Sequence, residues 1–426
     1  MALLAVLAGW QLPNIIPAVK SFVTGEKAPA PYSEMASMAA GMEALRVFDR
    51  DTSQAQAIEH FSTVLKHNPT SAAAAAGLSL AFSLRYIGDG RDDTWLQRAD
   101  ASAQQALAAD SQLALSHVAR AWVLELKGQP DEALIASATA LNLDPQNLLG
   151  LVGKIRVLTK EKKFTLAQTV LEGTHQLYPR ERVFQILQGI LHYRQSAYKD
   201  AEIAFRKAIE LDPRSSSAYS ALNAALLRQD RQDEALQVLQ QGLQIHPHWE
   251  LYGNLGTSLF AKADYLGAVE AFKKAVSSNT GNPGAYLLWA NLADAQRWVP
   301  AQAAASKDSY QRAITLLTPI VKRMPGNATL HSRMALYRAY IGDKTEAMAR
   351  LEQALAISSD VADVQFRAAL TQELIGNHKE ALDALLKAAK LGYPINLIES
   401  APDLLDLRRD SRYQQFIINI QRDRKI

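Results

Sequence analysis

Apolar residues along this chain alternate between two kinds of segment. One kind carries a small residue, a large residue four positions later and another small residue seven positions later. Ala201, Phe205 and Ala208 show it, and Ala268, Phe272 and Ala275 repeat it. Spacings of four and seven share one face of an α-helix, so each such run predicts an amphipathic helix. A proline then follows, at Pro69, Pro145, Pro179, Pro213, Pro247 and Pro325. It stops the helix because the residue before a proline is pushed out of helical geometry. The other kind of segment has apolar residues three and four apart and ends in a turn. Tyr252, Leu255, Gly256 and Leu259 precede Ala263-Asp264-Tyr265, and glycine marks the turn at Gly128, Gly342 and Gly376, as expected where a helix must stop and reverse.

The small residue recurs at Ala57, Ala99, Ala133, Ala167, Ala201, Ala235, Ala268, Ala313, Ala347 and Ala381, in steps of 42, 34, 34, 34, 34, 33, 45, 34 and 34 residues. A period of 34 carrying a small side chain predicts stacked helix–turn–helix units, because only such a side chain lets neighbouring helices approach closely. Ten units follow: 38–71, 72–113, 114–147, 148–181, 182–215, 216–248, 249–282, 283–327, 328–361 and 362–395. The second is stretched near 88–96 and the eighth near 298–308. Val64, Thr174 and Ile320 stand where a small residue is usual, and predict local widening between helices. Residues 396–426 give one more amphipathic pair around Pro402, expected to cap the last apolar face.

These residues resemble the tetratricopeptide repeat family. Leu255-Gly256, Tyr265, Ala268, Phe272 and Ala275 fall in the family's order and spacing, as do Gly189, Tyr198, Ala201, Phe205, Ala208 and Pro213. The resemblance implies an all-α fold, a right-handed superhelical solenoid whose first helices line a concave groove for a protein or peptide segment. A narrower likeness lies in Trp289–Trp298 with its insert, in Gly392-Tyr393-Pro394, and in Pro402–Arg408 with Arg412–Phe416. These runs look like the repeat regions of bacterial membrane-anchored serine/threonine kinases and winged-helix regulators. That likeness implies the sensor or assembly part of an envelope or signalling system. No kinase or winged-helix segment accompanies them here. A soluble cytoplasmic assembly factor, or the repeat region of a truncated kinase or regulator, is the alternative.

Residues 1–37 are an apolar segment followed by a Pro/Ala linker. Gln11, Asn14, Pro13 and Pro17 interrupt the apolar run, which falls short of the roughly 20 residues a membrane span needs. It reads either as the trailing end of a membrane helix that begins upstream, giving a membrane-anchored or periplasmic protein, or as a leader that packs nowhere. The chain has no cysteine, which excludes disulfides, thiolate metal sites and a cysteine nucleophile. A net charge of +3 is too small an excess to act as a nucleic-acid footprint, so no nucleic-acid partner is expected.

Catalytic chemistry finds no foothold. Gly150-Leu151-Val152-Gly153-Lys154 lacks the spacing of a phosphate loop. His246-Pro247-His248 is the one close histidine pair and reads as exposed turn residues rather than a metal site. No nucleophile, base and oxyanion donor assemble, and neither an enzyme activity nor a cofactor is expected. Groove candidates are better founded. Lys160, Arg194 and Arg228 occupy the same late position of the first helix in three consecutive units, with Arg156 one turn before the first and Tyr193 beside the second. Stacking would align them as a stripe able to pair with carboxylates on a peptide; otherwise they are solvated ends beside the helix dipole. Asn254 and Asn291 are expected to face the same groove. Asn254 matches a position where related repeats use asparagine to hold a peptide backbone. No ladder of such asparagines runs through the other units, and the carboxylate clamp of chaperone-binding relatives is incomplete.

Overall fold

The computed structural model describes residues 32–50, 52–88, 92–278 and 283–423. Among them there is no strand, and antiparallel helix pairs follow one another. Units one to five pair α1 (Glu34–Arg46) with α2 (Ser53–His67), α3 (Ala72–Gly88) with α4 (Asp93–Ala109), α5 (Ala114–Leu126) with α6 (Pro130–Leu143), α7 (Leu148–Lys160) with α8 (Phe164–Leu177), and α9 (Arg182–Arg194) with α10 (Tyr198–Leu211). Units six to ten pair α11 (Ser216–Leu227) with α12 (Gln232–Ile245), α13 (Trp249–Ala261) with α14 (Tyr265–Ser278), α15 (Tyr286–Arg297) with α16 (Ser306–Arg323), α17 (Ala328–Ile341) with α18 (Lys344–Ile357), and α19 (Ala362–Ile375) with α20 (His378–Lys390). The tail adds α21 (Ile395–Ser400), a 3-10 turn at Pro402–Leu404, α22 (Leu405–Arg409) and α23 (Ser411–Asp423). It is thus a chain of short helices and a longer one, where a simple pair was expected. Helix α1 starts ahead of the expected boundary at 38 because the Ser33 side chain caps it, accepting from the Ala36 N–H.

All ten periodic alanines are 0% exposed, so the 34-residue phase marks the closest helix contacts. The large residue four later packs against a gap in the facing helix. A Cβ added at Gly256 would stand 2.7 Å from the Phe272 ring, and one at Gly41 would stand 2.7 Å from Phe61. Val64, Thr174 and Ile320 are buried despite their size, and Thr174 donates its hydroxyl to the Leu171 carbonyl at 2.7 Å. Among the described residues, the turn between the paired helices passes through a left-handed residue in eight of the ten units, Thr52 in the first. Glycine supplies it at Gly128, Gly342 and Gly376, but Lys162, Ser196, Asp230 and Ala263 hold φ between 57° and 61° at the same place. That geometry costs an ordinary residue about 1–2 kcal/mol, and packing on both sides enforces it.

The stretched units lengthen helices more than loops. In unit two both α3 and α4 run to 17 residues, while residues 89–91 of the insert lie outside the described set. Unit eight adds 3-10 turns at Pro283–Ala285 and Pro300–Gln302, and an 18-residue α16 that contains Pro319. The apolar segment expected within 1–37 lies almost wholly at residues 1–31, outside the described residues. No helix among the described residues is long and apolar enough to cross a membrane.

The solenoid folds back on itself at both ends. The turn of unit one carries Asp49, which is 7% exposed and meets the starts of α9 and α11. Arg182 donates to its carboxylate at 3.2 and 2.5 Å, Ser215 at 2.8 Å and Ser217 at 2.7 Å, and the Ser216 hydroxyl donates to its carbonyl at 2.9 Å. Burial works to raise the Asp49 carboxyl, but Arg182 and the two serine hydroxyls outweigh it and hold the group below its ordinary range. Arg46–Glu181 and Arg50–Asp212 pairs flank the contact, at 2.7 and 3.2 Å. Beneath it Leu45 and Phe48 meet Trp122, Leu149, Val152 and Val183 around a void of about 30 Å³. From unit three to the start of unit five the inner face is therefore covered by the chain's own first unit. Farther on, Asp92 of unit two pairs with Arg323 of unit eight at 3.1 Å.

Candidate functional site

First helices end at a fixed distance before the left-handed turn residue, so their last side chains recur at one place on the concave face. The structure puts Arg194 at the end of α9 and Arg228 just past α11, around a cavity of about 550 Å³. Tyr193, Tyr198, Ile190, Phe205, Ala221 and Ala224 form its walls and floor, and Lys162 stands at its rim. The Tyr193 and Tyr198 rings meet edge-on at 5.3 Å, and Arg228 Nε donates to the Tyr193 hydroxyl at 3.2 Å. Among the described residues no carboxylate lies within 4.0 Å of Lys162, Arg194 or Arg228, in a structure where many other surface cations are paired. Three cations around a tyrosine pair make the cavity positive and aromatic. Such a surface suits a carboxylate-bearing segment with an apolar or aromatic side chain.

The other expected groove residues lie elsewhere. Arg156 and Lys160 converge on Glu125, at 2.9 and 3.5 Å. Glu125 is itself buried, and Arg156 also stacks over the Trp122 ring at 4.4 Å. These two cations share one carboxylate and are drawn toward it, so the free cationic surface runs from Lys162 to Arg228 and leaves Lys160 aside. Asn254 donates to the Ser220 hydroxyl at 3.0 Å, bridging α13 to α11. Close by, burial raises the carboxyl of Glu250 against a hydrogen bond from Ser220, with Asp49 adding to the rise. Asn291 is half-buried on α15, one unit beyond Asn254. The structure therefore gathers Tyr193, Arg194 and Arg228 into one cavity and leaves Arg156, Lys160, Asn254 and Asn291 outside it. Lys162 was not singled out from the sequence, and Tyr198 was read there as a repeat-motif position rather than as a groove residue. Their signal was the turn itself, which carries the aligned cation on one side and an aromatic on the other.

The histidine pair is not an exposed turn. His248 is 5% exposed and caps α13, accepting from the Glu250 N–H at 3.3 Å. No group of three metal-ligating side chains occurs among the described residues.

A second polar centre lies on the concave face of units eight to ten. Asp403, in the 3-10 turn of the tail, accepts from Arg297 Nη1 at 3.0 Å and from the Tyr340 hydroxyl at 2.9 Å. The Arg297 guanidinium lies 4.1 Å from the centre of the Tyr340 ring. Beside them the Tyr310 hydroxyl donates to Asp294. Burial pushes the Asp294 carboxyl up to about 6, with that hydrogen bond and Arg297 acting against the rise and Asp403 adding to it.

Comparison with known proteins agrees with this architecture. Tetratricopeptide repeat family models match residues 204–237 and 250–282. The small glutamine-rich tetratricopeptide repeat-containing protein 2 of Mycosarcoma maydis is 36% identical over 86 residues, 20% of this chain and 24% of that protein. The chain thus aligns with about a quarter of the length of that curated relative. Among solved structures, the human IFIT1 dimer with m7Gppp-AAAA is 14% identical, covers 81% of this chain and 76% of its own, and has a TM-score of 0.50. A tetratricopeptide repeat protein from Parabacteroides merdae ATCC 43184 is 18% identical over 60% of this chain and 98% of its own, at a TM-score of 0.41. The likeness to IFIT1 is one of helical-repeat fold alone. Family models thus find tetratricopeptide repeats at residues 204–237 and 250–282, and the helix pairs on either side of them follow the same geometry.

Proposed function

We propose that this protein is a non-catalytic scaffold, and that the cavity between units four and six captures an acidic segment of a partner protein. The observation that carries this reading is the set of unpaired cations, Lys162, Arg194 and Arg228, around the Tyr193–Tyr198 pair. The carboxylates of a bound segment would pair with the cations. Its apolar side chain would cover Phe205, Ala221 and Ala224. Tetratricopeptide repeats in general bind protein partners, and the packing of Leu45 and Phe48 onto α5, α7 and the start of α9 stops short of the cavity, which leaves its walls accessible. The setting we propose is the sensor or assembly part of a bacterial envelope or signalling system. It is supported by the likeness of Trp289–Trp298 and of the tail to the repeat regions of membrane-anchored kinases.

Arrays of peptides of graded charge test the capture reading. Peptides with two or more carboxylates beside an aromatic residue should bind. Charge reversal by Arg194→Glu with Arg228→Glu should weaken them about tenfold or more, because each charged hydrogen bond contributes about 1.5–3 kcal/mol. Equal binding by the reversed variant, with its helical content intact, would eliminate the cavity as the site. Cell fractionation tests the setting, and a wholly soluble cytosolic pool would defeat the envelope assignment.

A further inference from the structure

The tail does more than cover the last unit. After α20 the chain reverses at Gly392, where φ is +92°, and runs back along the concave face. Its 3-10 turn passes unit ten and reaches Arg297 of unit eight and Tyr340 of unit nine, so that Asp403 bonds with residues 106 and 63 positions away. Leu404 and Leu407 are 0% exposed, whereas Leu405 between them is 47% exposed. Within this stretch the contacts are one carboxylate and two leucines, with Leu405 turned to solvent, and the buried Ile398 before it and Tyr413 after it anchor the tail further. Tyr340 lies two residues before the left-handed Gly342, as Lys160, Arg194 and Arg228 lie two before Lys162, Ser196 and Asp230. The groove-lining position of unit nine is thus engaged by a stretch of chain lying in the groove.

We propose that the concave face of units eight to ten is a second binding groove, distinct from the cationic cavity. Its ligand is a partner segment with an aspartate followed by leucines one and four residues later, and the chain's own Asp403, Leu404 and Leu407 are its resident occupant. Charge complementarity selects this occupant. Arg297 and the Tyr340 hydroxyl both donate toward one point, and only an acceptor of the size of a carboxylate satisfies both. Leu404 and Leu407 share one buried apolar cluster with Leu336, Leu370 and Leu382. A competing partner must present the same three contacts and displace the tail.

The test uses the full chain with a protease site inserted at Leu391–Gly392 and cut after folding. The probe is a fluorescent peptide covering Glu399–Arg409. The peptide should exchange with the severed tail and bind saturably, while the helical signal of units one to ten persists. Binding should fall about tenfold or more when the peptide carries Asn in place of Asp403, or the body carries Arg297→Gln, the scale of one charge-assisted hydrogen bond. The uncut chain should exclude the peptide, and Asp403→Lys in the uncut chain should admit it. Loss of helicity as the tail leaves would overturn the proposal, since the tail would then be core. Binding indifferent to the aspartate, failure of excess peptide to exchange, or pairing of two chains by swapped tails would overturn it equally.

Discussion

At the scale of single residues, desolvation decides which charges count. Asp294 and Asp403 share one arginine, Arg297, and Asp294 is the one left short of a cation. Its carboxyl, near 6 in the folded chain, would be near 4 in the unfolded one. A carboxyl raised on folding stabilises the fold most below the unfolded value and loses that contribution as pH rises through the folded one. Asp294→Asn keeps an acceptor for Tyr310 and removes the titration. Relative to wild type, the variant should gain about 1 kcal/mol between pH 5 and pH 7. Urea unfolding at the two pH values reads this directly, and a constant difference would reject the assignment. Carboxylates lowered on folding, such as Asp49, act in the opposite direction and cancel in the comparison.

Between helices, the decisive feature is a missing Cβ. Phe272 on α14 sits against Gly256 on α13, and an alanine there would bring its Cβ to 2.7 Å from the ring. Alanine is the better helix former by about 1 kcal/mol, so an exposed glycine would be improved by the change. Here overpacking, at about 1–3 kcal/mol, opposes that gain and prevails because the ring is 2% exposed and has nowhere to move. Gly256→Ala should therefore lower the denaturation midpoint. An unchanged or raised midpoint would mean that the units pack less tightly than the alanine phase requires. This level was readable in advance, because Leu255-Gly256, Tyr265, Ala268, Phe272 and Ala275 carry the contact within one period.

Across the whole molecule, two aspartates pin the spiral. Asp49 binds Arg182, 133 residues away, and Asp403 binds Arg297. Asp49→Ala removes the charged hydrogen bonds from Arg182, but Arg182 keeps Asp212 at 3.0 Å and is not left unpartnered. The variant should therefore lose about 1.5–3 kcal/mol, the scale of a hydrogen bond to a charged group, and hydrogen exchange should quicken first in α1 and α2. Protection unchanged in those helices would show that Leu45, Phe48 and the flanking Arg46–Glu181 and Arg50–Asp212 pairs hold the first unit without it. Neither clasp could be read from the sequence, for an aspartate in a turn carries no sign of the arginine it will meet. Lys160 shows the same limit: its register matched Arg194 and Arg228, but Glu125 of the preceding unit draws it in together with Arg156.

What the sequence determined by itself was everything with a short period. It settled helix pairs, the alanine phase, the turn positions and the recurrence of a cation at Arg194 and Arg228, because these depend on residues within one 34-residue unit and its neighbour. The tertiary structure alone decided which part of the concave face stays accessible. That follows from small rotations summed over many units, which bring Asp49 to Arg182 and Asp403 to Arg297 through space, and no local pattern encodes such a sum.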